Sequence, residues 1–272
     1  MNTPRPWQMY VDGVGFWAAG LPNLAALRGC LRGDAALVDA PAKPAPSMLA
    51  AAEKRRAPDS VLLALEVATQ ACSSAARDPR ELPSVFTCTY GDLTITDHMC
   101  STLASAPTQL SPTKFHNSVH NAAAGYWGIA SGSTTPTTAL SAGSYSFGAG
   151  LLEAAMQLQA DDDSVLLVAY DIGSPPVLNQ VATSSALFGA ALVLSNRRNA
   201  QSVASIALFI EHGPPPSAAL FSSSLLQQLY TSNPMASCLP LFAALAGAPQ
   251  PTVILSAGAE LSLRMEISEC PT

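Results

Sequence analysis

Residues 141–170, SAGSYSFGAGLLEAAMQLQADDDSVLLVAY, read as a turn, a helix and a strand in succession. Ser141 opens a Gly/Ser turn that feeds an Ala/Gly-rich helix reaching Leu158, and Ser164–Tyr170 is a continuous apolar run. A strand with no polar alternation is of the kind buried on both faces, so its sheet carries helices above and below. Ala186–Leu194 (ALFGAALVL) is a second such strand. Upstream, Ser84–Tyr90 (SVFTCTY) predicts a strand closed by Gly91 and Asp92, followed by a helical stretch over Ile95–Ala104. Before it, Val61, Leu65, Ala68 and Cys72 share one face of a helix that starts at Pro58 and Asp59 and ends near Ala76. Met9–Phe16 (MYVDGVGF) alternates apolar and small positions and leads to Leu21, Leu24, Leu27 and Leu31 at helical spacing. Three prolines make Ala40–Ser47 an irregular surface connection. Downstream lie a strand over Ala204–Glu211, the GPPPS break, a helix over Met235–Ala246, and a hairpin of Thr252–Ser256 with Glu260–Ile267 around Ala257-Gly258. Interleaved strands and helices without an internal repeat specify an α/β layered fold.

The chain has 272 residues, 49% hydrophobic and 12% charged, enough to bury a sizeable core as one large domain or two small ones. Thirteen Lys+Arg against nineteen Asp+Glu leave a net charge of −6 with no basic stripe, which excludes nucleic acid as the expected partner. The uncharged stretches Phe115–Leu152 and Gly213–Ala259 are broken by polar residues or prolines, so no membrane span is expected. The first thirty residues do not read as a secretory signal, which makes the cytoplasm the expected location. Six cysteines at 30, 72, 88, 100, 238 and 270 form no C-x-x-C pair and read as reduced thiols.

Residues that bear chemistry concentrate in Ser111–Gly132, SPTKFHNSVHNAAAGYWGIASG, and Thr137–Gly150, TTALSAGSYSFGAG. His116 and His120 stand four apart as in helical zinc pairs, but Asn117 fills the place of the glutamate that a HExxH site needs. The preferred reading is that these imidazoles and amides satisfy buried backbone groups or bond across a subunit contact, and no metal is expected. Asp161–Asp163 reads as a solvated helix-to-strand loop. Neither a G-x-S-x-G elbow nor a phosphate-binding glycine loop is present, and no cofactor is expected.

Pro112, Asn121 and Ala124-Gly125 follow the order found in β-ketoacyl synthases ahead of the strand that leads to the nucleophile. The chain resembles the chain-length-factor type of β-ketoacyl-synthase-like proteins of aryl-polyene pathways. YVDGVGFWAAGLPNLAALRG, the HNSVHN run and AGLLEAA carry this resemblance too. It implies a thiolase-like α-β-α layered fold with a truncated C-terminal half, divided into an N-terminal-like domain over 1–200 and an abbreviated segment over 201–272. A ketosynthase holds an activated cysteine at a strand-to-helix turn. Here an ungapped alignment of SAGSYSFG puts Leu140 at that position, whereas keeping the helix phase puts Ser141 there, which is preferred; neither is a cysteine. The family's two C-terminal histidines are also unmatched, since past residue 120 the chain has His212 alone, in IEHGPPP.

What the resemblance implies is therefore a non-catalytic subunit. It would pair with a ketosynthase, meet acyl carrier protein through that complex, and close the partner's acyl tunnel. The helix near Ile95–Ala104 would line the tunnel, with Thr96, Met99, Cys100 and Leu103 setting its length. His116, Asn117, His120 and Asn121 would lie at the dimer interface. Two rival readings remain: a stand-alone acyltransferase or thioesterase using Ser141, and a homodimeric binding protein.

Overall fold

The computed structural model describes residues 5–34, 40–160, 163–213 and 218–271. In chain order its elements are β1 (Trp7–Ala18), α1 (Leu24–Leu31), α2 (Ala51–Arg56), α3 (Asp59–Ser74), β2 (Ser84–Thr87), α4 (Leu93–Ser105), α5 (Pro112–Asn117) and α6 (Ala122–Ser131). There follow β3 (Thr137–Leu140), α7 (Ser146–Ala160), β4 (Ser164–Asp171), β5 (Phe188–Ser195), β6 (Ala204–His212), α8 (Ser224–Ser232), α9 (Leu239–Leu245), β7 (Thr252–Gly258) and β8 (Leu261–Glu269).

Among the described residues the strands form one sheet in the order β3-β2-β4-β5-β1-β6-β8-β7. β3, β2 and β4 run parallel; every other neighbouring pair is antiparallel. β4 and β5, the two unalternating apolar runs, are buried along their whole length at the centre. One face is covered by α3 and α6 over Phe86, Trp127, Leu166 and Val193. The other is covered by α7, α9 and α8 over Phe16, Phe147, Leu167 and Phe242. This is the α-β-α layering expected from the sequence. The segment beyond residue 200 adds β6, β8 and β7 to the edge of the same sheet, and the sheet curls until β7 and β8 reach α7 from the far side.

β1 is paired with β5 along most of its length but with β6 only as far as Val11. Beyond that point its second edge is met by α3. Ser74 Oγ accepts from Val14 N at 2.8 Å and Gln70 Oε1 accepts from Phe16 N at 3.1 Å. Side chains of a helix thus take the place of a strand, which leaves those buried donors paired. The register shift between Val11 and Gly13 falls at Asp12, whose buried carboxylate accepts from Asn199 Nδ2 at 2.6 Å and Ser202 Oγ at 2.8 Å.

Two boundaries differ from the sequence reading. The strand expected over Ser84–Tyr90 stops at Thr87, because Thr89 N donates to the Asp171 carboxylate rather than to a neighbouring strand. The helix expected over Met235–Ala246 begins as a 3-10 turn, Pro234–Cys238, before α9. The hairpin over Thr252–Ile267 is present as β7 and β8. Of the acidic run, Asp161 and Asp162 lie outside the described residues; Asp163 is exposed.

Candidate functional site

The C-terminal ends of the parallel strands β2, β3 and β4 converge on a polar cluster in which Thr87, Thr89, Ser146 and Asp171 are buried and Ser141 is exposed. Asp171, the last residue of β4, is 5% exposed and accepts hydrogen bonds from Thr89 N at 2.8 Å and from Thr89 Oγ1. Burial disfavours the charged carboxylate and pushes its pKa up to about 6, against the opposing pull of the Thr89 bonds. Ser141 directly follows β3, and its hydroxyl donates to Thr89 O at 2.6 Å. Ser146 opens α7; its Oγ accepts from Ala142 N at 2.9 Å and donates to Gly143 O at 2.7 Å. Thr87 Oγ1 donates to Ser146 O at 2.9 Å, tying β2 to the start of α7.

The two positions considered for the nucleophile are therefore distinguishable. Leu140 ends β3 and packs against the core. Ser141 begins the turn, but the 3-10 segment Gly143–Tyr145 separates it from α7. A serine becomes a nucleophile when a base takes its proton. Here that proton is held by a backbone carbonyl, and among the described residues no histidine is hydrogen-bonded to Ser141. His212 is exposed at the end of β6.

A sulfur–imidazole contact lies beside this cluster. Cys88 Sγ is 3.3 Å from His120 Nε2 and is also bonded to Tyr170 and to the backbone N–H of Gly91. The thiol is 1% exposed, and burial pushes its pKa up to about 12, so it stays protonated and unreactive at neutral pH. The sequence reading missed Cys88, Thr89, Tyr170 and Asp171. Asp171 did leave a signal: an acid closing a fully apolar strand is buried unless the strand ends in solvent.

The residues assigned to the tunnel sit on a helix that the rest of the chain scarcely covers. In α4 the one buried residue is Ile95; Thr96, Cys100 and Leu103 are exposed and Met99 is half-buried. Across residues 90–122 only Ile95 and Asn117 are buried, while Leu103 is 52% and Phe115 63% exposed. The four residues assigned to an interface divide. Asn117 is buried and accepts from Tyr126 Oη at 3.2 Å, whereas His116, His120 and Asn121 are exposed. His116 and Asn121 border an apolar cleft of about 340 Å³ with Met48, Val119, Tyr126 and Ile129. His120 turns instead to Cys88, so the two histidines take different partners. Among the described residues no group of three or more His, Cys, Asp or Glu side chains is placed to hold a metal ion. All six cysteines are free thiols, and no described helix is long and apolar enough to cross a membrane.

The family model for the N-terminal domain of β-ketoacyl synthases matches residues 32–233. No curated protein matches the chain. Among solved structures, the ketosynthase (ApeO) in complex with its chain length factor (ApeC) from Xenorhabdus doucetiae is similar with a TM-score of 0.71 and 20% identity, over 95% of this chain and 99% of that one. The ishigamide ketosynthase/chain length factor gives a TM-score of 0.67 at 15% identity, over 95% and 99%. The AntDE:AntF structure, a type II PKS acyl-carrier protein in complex with its ketosynthase bound to the hexaketide, gives 0.71 at 12%, over 97% and 99%. At such identities what is shared is the fold, the thiolase-like layering described above. The match of the family model across most of the sequence goes further, and by it the chain belongs to the β-ketoacyl synthase family through its N-terminal domain.

Proposed function

We propose that this chain is a non-catalytic chain-length-factor subunit. It pairs with a β-ketoacyl-ACP synthase in fatty-acid or polyketide-like biosynthesis of the aryl-polyene type, works in the cytoplasm, and meets acyl carrier protein through its partner. The observation that carries the pairing is the stretch over residues 90–122, which holds α4 and α5 with only two buried side chains. Apolar residues such as Leu103, Phe115 and Val119 left exposed together mark a surface that a partner covers. The lack of catalysis is supported by Ser141, whose hydroxyl is bonded to Thr89 O rather than to a base, and by the protonated, sealed Cys88. The similar solved structures of a ketosynthase with its chain length factor agree with this reading.

The test is co-expression with the ketosynthase encoded nearest to this gene, with the tag on this chain alone. A one-to-one complex that condenses malonyl and acyl groups, with neither chain active by itself, is the expected result. A lone chain that hydrolyses or transfers acyl thioesters, and loses this turnover as Ser141→Ala, would overturn it in favour of a stand-alone acyltransferase or thioesterase.

Within such a complex Thr96, Met99, Cys100 and Leu103 lie along one side of α4, Met99 half-buried and the other three exposed, since residues three, four and seven apart align on a helix. Met99→Ala and Leu103→Ala are expected to shift the products to longer or broader chain lengths, read by mass spectrometry. An unchanged distribution would remove these side chains from the tunnel.

A further inference from the structure

Residues 90–122 leave the core at the end of β2 and return at α6, held by few contacts. Ser60 Oγ donates to Asp92 Oδ2 at 2.7 Å, Ile95 is buried, Tyr126 donates to Asn117, and His120 Nε2 meets Cys88 Sγ at 3.3 Å. The His120 contact differs from the others in kind. It joins an exposed ring to a buried thiol that belongs, with Phe86, Trp127 and Tyr170, to the core under α3 and α6. A segment with little buried area opens at lower free energy than the sheet beneath it.

We propose that His120 latches this arm onto the core through Cys88, so that opening of the arm turns a sealed thiol into a modification site for small soft electrophiles. The latch belongs to the chain alone. That a ketosynthase holds it shut rests on the function proposed above.

The probe is N-ethylmaleimide on the full-length chain, with labelling followed at each cysteine by peptide mass mapping. The sulfur adds to one carbon of the maleimide double bond, the thiol proton ends on the other, and nothing leaves. Cys100 is exposed, while Cys72 and Cys238 are buried away from the arm, so the protein carries its own standards. In the wild type Cys88 is expected to react about a hundredfold more slowly than Cys100, yet faster than Cys72 and Cys238, as a local opening requires. His120→Ala should speed Cys88 about tenfold or more and leave Cys72 and Cys238 unchanged. His120→Gln, whose amide reaches the same sulfur, should stay near wild type.

Cys88 labelling no faster than Cys72 in the wild type, an unchanged rate in His120→Ala, or a joint rise of all three buried thiols would each overturn the latch. Added ketosynthase should slow Cys88 further. If no complex forms, the proposed function fails, whereas the latch is judged on the isolated chain.

Discussion

Gly15→Ala is expected to destabilise the fold severely. A Cβ at position 15 would stand 1.9 Å from Val67 O and 2.8 Å from Val67 C, both backbone atoms of α3. Gly13 meets the same helix one turn on, its Cβ position 2.1 Å from Ala71 O. Neither obstacle is a flexible side chain, so relief requires α3 to lift off β1. That would break the bonds that Val14 N and Phe16 N donate to Ser74 Oγ and Gln70 Oε1. Overpacking a core costs about 1–3 kcal/mol and occasionally more; with backbone as the obstacle the upper end, about 3 kcal/mol, applies. Against a domain stability of about 5–15 kcal/mol, this shifts the urea midpoint sharply or leaves the protein insoluble. Gly125→Ala is the control. Its Cβ meets nothing within 4 Å on the helix α6, and a change of about 0.5–1 kcal/mol in the stabilising direction is expected. A Gly15→Ala protein with the midpoint of the wild type would mean that α3 does not rest on β1 in this way.

The same pair of elements shows what the sequence discloses. The alternation of MYVDGVGF is legible as a strand, and Val61, Leu65, Ala68 and Cys72 as the buried face of a helix, because both periodicities are local. That the glycines receive the carbonyls of that helix is not legible, since a small residue looks the same whether it faces a backbone, a turn or nothing. The apolar runs of β4 and β5 declared themselves as central, yet the placement of β1 between β5 and β6 is decided by pairing across long sequence separations. α6 went unread as a helix because Ala, Gly and aromatic residues surround it on all sides and no apolar stripe stands out.

The site divides along the same line. Ser141 was legible because it occupies a position in a motif, but its partner, the backbone carbonyl of Thr89, was not. Thr89 and Asp171 lie 82 residues apart, and Cys88 and His120 lie 32 apart. No short-range pattern joins either pair. Exposure of α4 was equally hidden: its composition is that of an ordinary amphipathic helix, and only the placed chain shows that past Ile95 no apolar side chain is fully buried.

Asp171→Asn is expected to abolish a pH dependence that runs against the usual direction for a carboxylate. In the unfolded chain an aspartate titrates near 3.9, whereas Asp171 in the fold is pushed up to about 6 by burial. The folded state thus holds this proton more tightly, and folding takes one up between about pH 4 and about pH 6. The stability that follows is fully present below the unfolded value and is lost as pH rises through the folded one. Two units amount to about 3 kcal/mol, of which about 2 kcal/mol falls between about pH 4.5 and about 7.5. Asn keeps the shape and an acceptor for Thr89 N without titrating, so the difference in unfolding free energy between wild type and Asp171→Asn should fall by that amount across this range, measured by urea unfolding. Asp78 does not confound the comparison. Hydrogen bonds from Arg80 hold it down to about 2, ionised throughout. A flat difference would mean that water reaches Asp171 and that the ends of β2, β3 and β4 open into a pocket. Ser141, already exposed beside it, could then pass its proton through water to that carboxylate, and the case for a silent subunit would weaken. The predicted slope would show Asp171 itself dry, with Thr89 fastened to it and Ser141 fastened to Thr89, in agreement with the proposed role as a partner subunit.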